Sequence, residues 1–113
     1  MNVMFEVRGS TGLVLPQGDL TAETADSFRE QFIRWMQGAT GVRNVVVDLG
    51  AVGFMDSSGL GILIALLKRV SERGGDLKIA CLGKKVRLVF EITRAYKVFE
   101  ILDTVDEAVA ACK

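Results

Sequence analysis

Histidine is absent from all 113 residues. That single absence removes a Ser-His-Asp or Cys-His catalytic system, a histidine zinc ligand and a phosphohistidine carrier. Spacing closes other common routes to an enzyme. A nucleophile elbow requires Gly-x-Ser-x-Gly, but Met55 and Asp56 stand two places before Ser57 and Ser58. The Gly-Lys-Ser/Thr of a phosphate-cradling loop is also missing. The chain therefore reads as a non-enzymatic protein with no cofactor.

Net charge is absent too. Fourteen basic side chains balance fourteen acidic ones, so no global field draws the protein to nucleic acid or to an anionic membrane, and any partner must be recognised locally. The basic cluster Lys84, Lys85, Arg87, Arg94 and Lys97 is interrupted by Glu91 and reads as a solvated helix face. The longest uncharged apolar stretch, Gly59 to Leu67, is far below the roughly 20 residues that cross a bilayer. Met1 to Glu6 lacks a basic segment followed by a long apolar one, so no export signal is read and a cytoplasmic location is expected. The two cysteines, Cys81 and Cys112, have neither metal-ligand nor redox spacing.

Half of the residues are hydrophobic and a quarter charged, which suits one globular domain over 1–113 with a single core. Val3 to Arg8 and Leu13 to Leu15 read as a hairpin around Gly9-Ser10-Thr11-Gly12. From Thr21 the period becomes helical: Ala25, Phe28, Phe32, Trp35 and Met36 share one face, with Thr21 as the expected N-cap, Trp35 in the core and an end near Gly38. Asn44 to Leu49, with its Val45-Val46-Val47 run, reads as a central strand buried on both faces. A helix from about Ser58 to Arg73 follows, closed by Gly74-Gly75. Then come a strand at Leu77 to Leu82, a helix from about Lys84 to Ile92, a connector around Tyr96 to Leu102 and a helix from about Val105 to Ala111. Strands alternating with helices predict an α/β domain: a mixed four- to five-stranded sheet packed with about four helices. The helix after Asp56 carries two apolar stripes, Leu60, Leu63, Ile64 and Leu67 beside Ile62, Leu66 and Val70. One covers the sheet; the other packs on neighbouring helices or forms a docking surface.

The stretch Phe54-Met55-Asp56-Ser57-Ser58-Gly59-Leu60-Gly61 carries the most chemical information. Unpaired N–H groups and partial positive charge at a helix N-terminus favour Asp, Ser or an added phosphate. Its residues can cap the helix, accept a phosphate or do both, and an anion-binding carrier is a further possibility. Of Phe54 and Met55, one should point into the core.

These residues, with Val45-Val46-Val47-Asp48-Leu49 before them, Gly18-Asp19-Leu20-Thr21-Ala22-Glu23-Thr24-Ala25 and Arg73-Gly74-Gly75-Asp76-Leu77, resemble the STAS domain, and within it the bacterial anti-sigma factor antagonists. The resemblance covers nearly the whole chain and implies a partner switch. The unphosphorylated antagonist binds a serine-kinase anti-sigma factor of the histidine-kinase-like ATPase type. That kinase phosphorylates the serine after the motif aspartate, and a PP2C-type phosphatase restores it. By position that serine is Ser57, with Ser58 the second candidate. Partner contacts are expected from Asp19, Leu20, Thr21, Phe54, Met55, Asp56, Ser58, Gly59 and Leu60. Thr21 stands where the family often has aspartate, and Asp19 is the nearby acidic residue. A constitutive scaffold subunit of a larger signalling assembly is the alternative, and a transporter-attached domain is disfavoured by the lack of a membrane segment.

Overall fold

The computed structural model describes residues 1–112. Five strands form one sheet in the order β1-β2-β3-β4-β5. β1 (Asn2–Arg8) pairs antiparallel with β2 (Thr11–Gln17), and β3 (Asn44–Asp48), β4 (Leu77–Ala80) and β5 (Ile101–Leu102) continue from β2 in parallel. The helices are α1 (Ala25–Gly38), α2 (Ser57–Glu72), α3 (Lys84–Ile92) and α4 (Val105–Ala111), with one 3-10 turn at Ala95–Lys97. This is the mixed α/β architecture expected from the alternation of elements.

Period-two alternation explains why the central strands are apolar without interruption. Val45 and Val47 enter the main core with Val14, Leu77, Ile79 and the inner faces of α1, α2 and α3. Val46 points the other way and packs with Leu13, Ala80 and Ala108 beneath α4. A strand covered on both faces has no solvent side on which to place polar residues. Lys78 is the exception on β4. Its ammonium, nearly buried, is pushed down by burial but lifted overall by ion pairs with Asp76 at 3.0 Å and Glu100 at 3.2 Å.

Several boundaries differ from the sequence reading, each for a local reason. β2 runs through Pro16 because the β2–β3 pairing ends at Val14, so the missing N–H lies beyond that ladder. β4 stops at Ala80, where Cys81 adopts φ +65°. The expected connector contains β5, joined to β4 by Ile79 N–H to the Glu100 carbonyl and Cys81 N–H to the Leu102 carbonyl. The N-cap position of α1 is Thr24, not Thr21. Thr21 heads the preceding turn, in which its N–H donates to Thr24 Oγ1 and its own Oγ1 accepts from Glu23 N–H. Trp35 is half-buried at the sheet edge, stacked on Phe5 at 4.9 Å and lying over Gly12.

The two stripes of α2 merge into one buried face of Gly59, Leu60, Leu63, Leu66 and Val70, while Ile62, Ile64 and Leu67 flank it half-exposed. Truncation should separate these sets. Leu63→Ala is expected to cost about 2–5 kcal/mol and Ile64→Ala less than half as much, measured by urea unfolding; equal costs would contradict this orientation of α2.

Candidate functional site

The segment between β3 and α2 is held by backbone on both sides. Leu49 N–H bonds the Ala80 carbonyl, and Gly18 N–H bonds the Ala51 carbonyl. Leu20 and Met55 then form a parallel bridge, with Leu20 N–H to the Phe54 carbonyl at 2.9 Å and Asp56 N–H to the Leu20 carbonyl at 3.3 Å. The segments before α1 and before α2 are thereby fixed side by side.

Asp56 completes the joint. Its Oδ1 accepts from Gly59 N–H at 3.0 Å, capping α2, and its Oδ2 accepts from Ala22 N–H at 3.1 Å in the turn before α1. The Gly59 bond, joined by that from Ala22, holds the carboxyl below its ordinary value of 3.8. The group is thus ionised at neutral pH. Gly59 permits the close approach: a Cβ there would strike the Leu20 carbonyl, whereas one on Gly61 meets nothing within 4 Å.

Because Asp56 is the cap, the serines are not needed for it. Ser57 and Ser58 occupy the first two positions of α2, both exposed, and neither hydroxyl has a hydrogen-bond partner among the described residues. Beside them lies a groove lined by Asp19, Thr21, Ala22, Glu23, Thr24, Phe54 and Asp56. Three of these seven are acidic.

The expected site residues divide by exposure. Asp19, Phe54, Ser57 and Ser58 are open to solvent, with Thr21 and Asp56 partly so; Phe54 exposes 45% of its surface against 1% for Met55. Leu20, Met55, Gly59 and Leu60 are buried and act by placing the others. Ala22, Glu23 and Thr24 carry no site pattern of their own in the sequence, although they belong to the loop from Gly18 to Ala25. The Asp56–Ala22 bond, across 34 residues, and the Thr24 Oγ1 bond to the Asp19 carbonyl bring them to the groove.

Comparison with known proteins fits this frame. The family model for the STAS domain matches residues 2–108. The chain belongs to the STAS domain family. It is 27% identical over 105 residues to an anti-sigma F factor antagonist of Paenibacillus polymyxa, covering 91% of this chain and 89% of that one. It is 29% identical over 84 residues to an anti-sigma-B factor antagonist of Bacillus subtilis, covering 74% of each. The crystal structure of an anti-sigma factor antagonist from Mycobacterium paratuberculosis superimposes with a TM-score of 0.85 at 25% identity, covering 97% of this STAS domain and 92% of that chain. No helix among the described residues of the STAS domain is long and apolar enough to cross a membrane.

Two outcomes test the joint. Gly59→Ala should destabilise by about 1–3 kcal/mol through overpacking, whereas Gly61→Ala should stabilise by about 0.5–1 kcal/mol through helix propensity, both read from urea unfolding. The depressed Asp56 value means that its contribution is complete above 3.8 and is lost as pH falls through the lower folded-state value. Wild type should therefore exceed Asp56→Ala in thermal midpoint at neutral pH, and the gap should narrow as the pH is taken below 3.8.

Proposed function

We propose that this STAS domain is an anti-sigma factor antagonist that works by partner switching, with Ser57 as the phosphoacceptor. Unphosphorylated, it binds a serine-kinase anti-sigma factor of the histidine-kinase-like ATPase type, which releases the sigma factor or other target. The kinase transfers the γ-phosphoryl group of ATP to Ser57 Oγ: the hydroxyl proton is lost, an O–P bond forms and ADP leaves. A PP2C-type phosphatase hydrolyses that bond with water and restores the hydroxyl.

The observation that carries this reading is the division of labour at the start of α2. Asp56 makes the cap, so the Ser57 hydroxyl is exposed and unbonded, available to a kinase without cost to the fold. Asp19, Phe54 and Ser58 offer the accessible contacts around it, with Thr21 and Asp56 at the groove.

Charge supplies the switch. A phosphoserine adds about −1.5 to −2 charges beside the carboxylates of Asp56, Asp19 and Glu23. Like charges about 5 Å apart repel by roughly 3 kcal/mol per unit pair at the effective dielectric near 20 of an interface but by under about 1 kcal/mol in water, so burying them together costs about 2.5 kcal/mol. That is more than about tenfold in affinity. In the free protein the first turn of α2 offers N–H groups and a positive helix end, so the modified chain stays folded.

Substitution separates a switch from a constitutive scaffold. With ADP and Mg²⁺ present, Ser57→Ala should retain an ATP-binding serine kinase as wild type does, and Ser57→Asp should retain at least about tenfold less. With ATP, wild type should gain the mass of one phosphoryl group and Ser57→Ala should not. Equal retention of the kinase by all three forms would contradict the proposal.

A further inference from the structure

The two edges of the sheet are managed differently. β5 presents only two residues, and a short edge strand resists pairing with another chain. β1 presents seven, and no strand among the described residues pairs with its outer side. Edge strands are usually blunted by shortness, by charged side chains, above all lysine, by proline or by a bulge. β1 has no lysine or proline; its charged residues are Glu6 and Arg8, and its Val3-Met4-Phe5 run is apolar on both faces, so a long apolar edge is left open to pairing. Met4 and Val7 are 51% and 54% exposed. Along the same edge, Val3 and Phe5 line a groove with Gln31, Arg34 and Trp35.

We infer that β1 is a dimerisation edge whose occupant is β1 of a second copy, paired antiparallel to make a continuous ten-stranded sheet. The sequence of the strand favours a copy of itself. A two-fold axis at Phe5 pairs all seven residues and sets Val3 opposite Val7, Met4 opposite Glu6 and Asn2 opposite Arg8. The exposed Val7 is then covered by an apolar neighbour, and no like charges oppose one another. An axis at Glu6 would instead place two carboxylates face to face. The two Phe5 rings meet at the axis, each backed by its own Trp35. Antiparallel pairing also reverses the second sheet, so the two Ser57 loops lie at opposite ends of the dimer. Each loop stays free to engage a partner of its own.

Charge at position 4 tests both the dimer and its register, because Met4 is half-exposed and its replacement need not disturb the fold. Sedimentation equilibrium of the full chain, run up to about 100 µM, should give twice the 12.3 kDa chain mass for wild type. Met4→Glu sets two carboxylate pairs across the axis and should raise the dissociation constant about tenfold, while Met4→Lys faces Glu6 of the second copy and should leave the dimer intact or tighter. A monomeric wild type throughout that range would overturn the inference. So would equal responses of the two variants, in either direction, and so would a dimer lost on Phe54→Ala, which would place the contact at the groove beside Ser57.

Discussion

The Asp56 carboxylate, shared between the N–H groups of Gly59 and Ala22, is the interaction on which the site depends. One oxygen satisfies an orphan donor at the head of α2, and the other satisfies a donor in the turn before α1. Two helix entries separated by more than thirty residues are thereby fixed to one ionised group. The adjoining Leu20–Met55 bridge works in the same direction by sealing both side chains into the core. Gly59 completes the arrangement, since a larger residue would push α2 off the Leu20 carbonyl.

In the proposed switch this joint would separate stability from signalling. If a serine capped α2, modifying it would remove the cap, and any loss of binding would be mixed with local unfolding. With the aspartate as cap, the neighbouring hydroxyl can gain or lose charge while the helix start stays intact. In the proposed switch, its exposure and the acidic groove beside it make charge the quantity that a partner would read. The demands of close packing fall on buried residues, and in the proposed switch the variable charge would fall on an exposed one.

What could be read from the sequence was what is local. The Val45-Val46-Val47 run, the helical spacing from Ala25 to Met36 and the bounds of α3 and α4 follow from periodicity over a few residues. The Asp56-Ser57-Ser58 stretch was conspicuous for the same reason, and its match to the STAS pattern gave the fold. Features that depend on distant partners were not legible. Nothing near Ala22 signals that its amide meets Asp56, and β5 is too short to carry a pattern of its own. Thr21 and Thr24 both have the chemistry of a cap, yet Thr24 heads α1 without a side-chain cap bond, its Oγ1 accepting from Thr21 N–H and donating to the Asp19 carbonyl. Trp35 shares the helical face of Phe32, yet it reaches the sheet edge because Phe5 and Gly12 receive it there.

The central claim is that phosphate at Ser57 changes the surface charge without changing the fold. Amide hydrogen exchange of the protein carrying phosphoserine at position 57, compared with the unmodified protein, tests it most directly. The account predicts unchanged protection at Gly59, Leu60, Leu20 and Ala22, because every bond that holds the joint survives the modification. Loss of protection at those amides would contradict it and would make the switch a local unfolding of the start of α2.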